Sequence, residues 1–196
     1  MSQIIKNIKP HFEKALSPIV YIFDKLNISP NLLTITGLII TTIGTYFIFT
    51  KQFFIAGIIL TIGAVFDAID GTLARKTNKT TKFGAFLDST VDRIADFLPL
   101  FALAYYFKND IIFFLITMGA ILFSFLVSYT RARAEGLGLD CKIGIFERPE
   151  RLIILIIALI TGYLEIGVLL IFLGALWTTF ERVFYVLKIS SKEWGL

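Results

Sequence analysis

Apolar residues run along this chain in long blocks separated by short polar clusters. Two charge-free runs, 32–49 and 111–130, are 18 and 20 residues long, and an α-helix needs about 20 apolar residues to cross a bilayer. A second block runs from Phe53 and carries Asp67 and Asp70 at its far end. A third, about 84–107, opens with Asp88 and Asp92. The fifth has an apolar core at 152–164 of only 13 residues, and the sixth, about 166–188, encloses Arg182. Turns fall at Lys51, at 75–83 and at Lys108-Asn109-Asp110. Residues 136–147, with Gly136, Gly138 and Gly144, read as a loop, and Gly162 and Glu165 separate the last two helices. Pro30 and Pro149 occupy first turns, where a helix tolerates proline, and Ser29 or Asn31 can cap. The pattern predicts an all-α polytopic membrane protein with six transmembrane helices.

Residues 2–26 differ. They alternate charge with Ile, Phe, Leu and Val and are interrupted by Pro10 and Pro18. This predicts one or two amphipathic helices on the membrane surface, with Lys6, Lys9, Lys14 and Lys25 toward lipid headgroups; the alternative is a helix packed on the rest of the protein. The chain therefore divides into a juxtamembrane segment, 1–27, and a six-helix transmembrane domain, 28–196. No apolar core precedes a small-residue cleavage site in the first 30 residues, which argues against a cleavable signal peptide.

Composition agrees: of 196 residues 56% are hydrophobic, and the mean hydropathy is +0.79. Cys141 is the single cysteine and His11 the single histidine, which argues against an intramolecular disulfide, a thiolate metal site or an imidazole dyad. With six spans, 16 of the 19 basic residues fall on one side. Lys51 and Lys108 lie on the other, and Arg93 lies within the third span. Cytoplasmic loops carry the excess of Lys and Arg, so both termini and the acidic cluster are expected to face the cytoplasm of a cell membrane. No nucleic-acid partner is expected.

The candidate chemistry lies between Asp67 and Asp92. On helices, Asp67, Asp70, Gly71 and Ala74 share one stripe, and Asp88 and Asp92 share another on the next helix. A short basic turn can bring the four acids together. Unneutralised carboxylates at membrane depth cost at least about 2.5 kcal/mol each. An all-oxygen cluster suits Mg2+ or Mn2+ rather than zinc or copper. Four carboxylates can hold two such ions, a recurrent arrangement for displacement at phosphorus, and leave one group for proton transfer. Gly71 removes a side chain where a ligand must come close, and Arg75 lies near enough to meet a phosphate. The alternative is a structural ion-pair network with Arg75 and Arg93. Asp96, outside this set, is expected to pair with Arg93 or another arginine, with no catalytic role.

The spacing D-x2-D-G-x2-A-R-x8-G-x3-D-x3-D, met here by Asp67, Asp70, Gly71, Ala74, Arg75, Gly84, Asp88 and Asp92, resembles the signature of the CDP-alcohol phosphotransferases. The resemblance implies an enzyme of phospholipid biosynthesis with six transmembrane helices, usually a homodimer. It implies transfer of a phosphatidyl-type group from a CDP-linked lipid to an alcohol, releasing CMP. Asp67, Asp70 and Asp88 would ligate two Mg2+ or Mn2+ ions; Asp92 would be the general base and also touch a metal. Gly71, Arg75 and Thr81, with the turn Ser29, Pro30, Asn31 and Leu32, would meet the CDP portion.

Arg131 and Arg133 end the fourth helix, Arg148 and Arg151 open the fifth, and Arg182 lies in the sixth. Guanidinium forks suit bidentate phosphate recognition, so a second phosphate, on the acceptor, is expected there; headgroup snorkelling is the alternative. The stretches S-Y-T-R-A-R-A-E-G-L-G and F-E-R-P-E-R-L-I-I resemble the inositol-phosphate branch, the phosphatidylinositol-phosphate and archaetidylinositol-phosphate synthases. That resemblance implies inositol 1-phosphate as acceptor, held by Arg131, Arg133, Arg151 and Arg182, with CDP-archaeol or CDP-diacylglycerol as donor. Some bacterial members carry Lys where this chain has Arg131. Two rivals stand beside it: a phosphatidylglycerophosphate synthase using glycerol 3-phosphate, and a divalent-cation transporter.

Overall fold

The computed structural model describes Lys14 and residues 16–193, with the backbone alone at 191–193. Lys6 and Lys9, placed above among lipid headgroups, lie outside the described residues. The described residues are all-helical. Helix α1 covers 16–25. Six long helices follow: α2 (Pro30–Phe49), α3 (Phe53–Lys76), α4 (Lys82–Tyr106), α5 (Ile111–Gly136), α6 (Arg148–Thr161) and α7 (Leu164–Glu193). Each starts within a few residues of its expected position. Four of them, α2, α3, α5 and α7, are long and apolar enough to cross a membrane. The other two fall short for reasons visible in the sequence. The first fifteen residues of α4 carry Asp88, Asp92, Arg93 and Asp96, and α6 has only 14 residues.

The boundaries have local causes. Ser29 Oγ accepts from the Leu32 N–H at 3.2 Å and caps α2, with Pro30 in the first turn. Gly162 closes α6 at φ +82°, a left-handed conformation that glycine adopts without a Cβ clash. Asn78, at φ +54°, turns the chain after α3, and the Lys79 N–H returns to the Ala74 carbonyl at 3.0 Å. Thr81 Oγ1 then accepts from the Gly84 N–H at 2.9 Å and starts α4. This turn sets the acidic ends of α3 and α4 side by side. Pro99 lies inside α4, a position the hydrophobic pattern alone does not flag. It is buried among neighbouring helices, which is how a spanning helix tolerates a missing N–H.

The principal contacts pair α2 with α3 and α4, α3 with α6, α4 with α5, α5 with α7 and α6 with α7. The six long helices thus close a ring in the order α2-α3-α6-α7-α5-α4. Inside it, Ile48, Leu60, Leu103, Ala120, Leu159 and Ile171 belong to one buried apolar cluster. A second cluster joins Leu16 and Val20 of α1 to Leu33 of α2 and to Ile69 and Leu73 of α3. α1 therefore docks on the helix pair that carries the first two aspartates, while Tyr21, Ile22 and Leu26 stay exposed. The outer faces of the ring are apolar as well: Phe54, Ile112, Leu115, Leu122, Trp177 and Phe184 are exposed. An exposed apolar belt of that kind marks a surface that meets a membrane.

Small residues allow α2 and α3 to approach. A Cβ on Gly63 would lie 2.9 Å from Thr41 Oγ1 and 3.4 Å from the Gly37 carbonyl oxygen. Gly63 is one turn before Asp67. Gly63→Leu is expected to force the two helices apart and displace Asp67 and Asp70. The measurement is thermal unfolding together with Mn2+ binding, and both should fall, binding by at least about tenfold, as expected when the carboxylates that hold the ion are displaced.

Candidate functional site

Asp67 and Asp70 from α3 and Asp88 from α4 converge. Ligand oxygens of the three lie within 4.8 Å of one another, close enough to share one divalent cation. Asp70 is 3% exposed, and its Oδ2 accepts a hydrogen bond from Thr34 Oγ1 at 2.6 Å. Three carboxylates this close repel one another, and the donor set is oxygen only, which fits Mg2+ or Mn2+. Three of the four expected ligands are thus placed where they could hold such an ion.

Asp92, the fourth, faces a different partner. Its Oδ1 is 2.8 Å from Arg148 Nη1, and its Oδ2 is 3.5 Å from Arg93 Nη1. The same Arg148 Nη1 donates to Asp67 Oδ2 at 2.7 Å, and Arg148 Nε donates to Asp96 Oδ1 at 3.2 Å. Asp96 Oδ2 accepts in turn from Arg151 Nη2 at 2.6 Å. Asp96 thus pairs with arginines of α6, and Arg93 pairs with Asp92 instead. Part of the ion-pair network weighed above is therefore present, but its main cation is Arg148. Asp96 continues the Asp88-Asp92 stripe by one turn and Arg148 precedes Arg151 by three residues, but neither spacing encodes the meeting of the two sets across helices.

Beside the three carboxylates a cleft of about 190 Å3 opens between the starts of α2 and α4 and the end of α3. Pro30, Asn31, Gly71, Arg75 and Thr81 line it, as do Asp70 and Asp88. Five of the seven residues expected to meet the CDP portion are therefore together. The other two are not: Ser29 is spent on capping α2, and Leu32 is 56% exposed. Sequence reasoning missed Thr34, Lys79 and Thr80, which also line the cleft. Thr34 carries no charge and matches no spacing rule, so only the packing of α2 on α3 reveals it. The space above Gly71 is taken by Arg75, whose Nη1 would lie 3.2 Å from a Cβ there. Thr34→Val keeps the shape and removes the hydroxyl. It is expected to weaken Mn2+ binding about tenfold, the lower end for loss of a group that orients a metal ligand, in a titration followed by the electron paramagnetic resonance of free Mn2+.

Three of the expected acceptor arginines converge on the loop before α6. Arg182 is 1% exposed. Its Nε donates to the Ile143 carbonyl at 2.9 Å, its Nη1 to the Val127 carbonyl, and its Nη2 to Glu147 Oε1 at 2.7 Å. Arg131 reaches the same Glu147 oxygen at 3.5 Å and Glu135 at 2.9 Å. Arg151, 4% exposed, donates to the Phe146 carbonyl at 3.1 Å as well as to Asp96. Arg133 is exposed. In the same loop Cys141 is buried, and burial pushes its thiol pKa up, so it is a poor nucleophile.

A paired acidic motif on two helices, a cleft with a buried carboxylate and a separate arginine group constrain the family strongly. The model of the CDP-alcohol phosphatidyltransferase family matches residues 27–185. The chain belongs to that family. It is 40% identical over 186 residues to the archaetidylinositol phosphate synthase of Pyrococcus horikoshii, covering 94% of this chain and 97% of that protein. The phosphatidylinositol phosphate synthase of Mycobacterium tuberculosis, solved with CDP-DAG bound, superposes with a TM-score of 0.81 at 28% identity over 88% of this chain and 94% of that one. The same enzyme in complex with manganese and citrate superposes at 0.79 and 28% identity, covering 86% and 87%. The family assigns the chain to the transferases of phospholipid biosynthesis, and its exposed apolar helices make it a membrane protein.

Proposed function

We propose that this chain transfers the phosphatidyl-type group of a CDP-lipid, CDP-archaeol or CDP-diacylglycerol, to inositol 1-phosphate, giving a lipid inositol phosphate and CMP. The observation that carries the reading is the pairing, on adjacent helices, of a three-carboxylate group with a buried arginine cluster. One suits a diphosphate held through cations, and the other suits a second phosphate. The names of the relatives above support inositol phosphate over glycerol 3-phosphate. A transporter would need neither the cleft at Gly71 and Arg75 nor the arginines.

Asp67, Asp70, Asp88 and Asp92 would hold two divalent ions, Mg2+ or Mn2+. Bound there, the ions offset the charge of the diphosphate and of the departing CMP. Pro30, Asn31, Gly71, Arg75 and Thr81 shape the cleft for the nucleotide portion, and Ser29 and Leu32 hold the turn that forms its rim. Arg131, Arg151 and Arg182 orient the acceptor phosphate, with Arg133 at the entrance. An Asp92 carboxylate oxygen takes the proton of an inositol ring hydroxyl. The alkoxide oxygen then forms a bond to the lipid-side phosphorus, and the bond from that phosphorus to the CMP oxygen breaks.

The working arrangement we propose has α2–α7 as six spans, residues 28–196 forming the catalytic domain and residues 1–27 lying along the surface. The apolar residues left exposed on α1 support surface contact, and the basic turn at Arg75, Lys76, Lys79 and Lys82 supports a cytoplasmic position for the site and both termini. The family resemblance supports a homodimer. Purified protein given a CDP-lipid and Mg2+ is expected to release CMP only when inositol 1-phosphate is added and to stop when the cation is chelated. Release that survives chelation, or that ignores every alcohol, would overturn the reading.

A further inference from the structure

We infer that Arg148 is a built-in counter-cation that makes the two cation-binding steps of the aspartate cluster unequal. One step uses the Asp67, Asp70 and Asp88 group, and the other competes with the guanidinium lying between Asp67 and Asp92. The inference rests on the functional reading only in taking the cluster to bind divalent cations.

The geometry divides the acids into two sets. Asp67, Asp70 and Asp88 bring three ligand oxygens within 4.8 Å of one another. Between Asp67 and Asp92, by contrast, Arg148 Nη1 stands 2.7 Å from one carboxylate and 2.8 Å from the other. A positive charge already stands between these two carboxylates. The two contacts are not equal. Arg148 makes an aligned hydrogen bond to Asp67, whereas the buried Asp92 Oδ1 is left without one. Of the two N–H groups on Nη1, one is aligned with Asp67 and neither with Asp92 Oδ1, whereas a divalent ion has no such directionality.

Arg148 also has somewhere to remain when displaced. Its Nε bonds to Asp96 at 3.2 Å, and Asp96 is fixed from behind by Arg151 at 2.6 Å. Asp96 is therefore a positioning residue: it tethers the guanidinium at the edge of the cluster, one helical turn from Arg151. Binding of the second cation would free the Nη1 donor on the side where the acceptor phosphate is expected. The two ligands would then favour each other, and by linkage to the same degree.

The test is a Mn2+ titration of the full-length protein in detergent, without lipid or acceptor, with free Mn2+ read by electron paramagnetic resonance. The wild type should show two classes of site, one at least tenfold weaker than the other. Arg148→Gln should tighten the weaker class by about tenfold or more and the stronger by less, since Asp67 is shared by both steps whereas Asp92 belongs to the second alone. Asp96→Asn, which keeps the shape, should weaken the second class by committing Arg148 to Asp67 and Asp92. A folded Arg148→Gln variant whose weaker class is unchanged or weakened would overturn the inference. If that variant does not fold, an unchanged or tightened second class in Asp96→Asn does the same. CMP release is not used in this readout, so failure of the proposed reaction and failure of the competition are told apart.

Discussion

Asp92→Asn is expected to lower CMP release about 10²- to 10⁴-fold, the range for loss of a general base. The substitution preserves volume and leaves Asp67, Asp70 and Asp88 in place, so the tighter Mn2+ step should survive while turnover is lost. Steady-state CMP release and a Mn2+ titration on the same preparation check this. Loss of both would make Asp92 a ligand first and a base second. Retention of turnover would remove it from the chemistry. Asp92 stands between two guanidinium groups, Arg148 Nη1 at 2.8 Å and Arg93 Nη1 at 3.5 Å, which orient its carboxylate.

The second large effect is on stability. Arg182→Ala removes a 1% exposed guanidinium whose donors reach the Ile143 and Val127 carbonyls and Glu147. Breaking a buried charged pair from one side costs about 3–5 kcal/mol, because the partner is left uncompensated. In a chain of this size that lowers the unfolding midpoint by roughly 6–20 °C. Arg131→Ala makes the contrast. Its side chain is 37% exposed, and exposed pairs contribute under about 1 kcal/mol, so its midpoint should barely move. If both arginines bind the acceptor phosphate, both variants raise the KM for inositol 1-phosphate, and only Arg182→Ala also melts early. A raised KM in neither variant would assign this arginine group to folding alone.

The helices were legible in the sequence because their signals are local. Ser29-Pro30, Pro149 and Gly162 punctuate apolar runs and act where their residue types predict, and Asn78 and Thr81 shape the turn expected at 75–83. The acidic site was legible because its motif spans one turn between two helices, so spacing along the chain determines proximity. What could not be read is what depends on packing between distant helices. Thr34 meets Asp70 across 36 positions, and Arg148 meets Asp67 across 81; no periodicity encodes either contact. The arginines show the limit from the other side. Their number and position at helix ends suggested a phosphate site, but the carboxylates that hold them, Glu147 and Asp96, are as much part of the arrangement. Arg182, Arg151 and Arg131 are already hydrogen-bonded or ion-paired within the protein, so under the proposed reading an acceptor phosphate would have to share or displace Glu147 and Asp96.

The most direct test of the central claim is a competition. The purified protein is given a CDP-lipid, Mg2+ and equal amounts of inositol 1-phosphate and glycerol 3-phosphate, and the lipid product is identified by mass. The account predicts a lipid inositol phosphate as the dominant product, with CMP formed in equal amount. A dominant lipid glycerophosphate would contradict it, leaving the family and the aspartate chemistry in place and the acceptor assignment wrong.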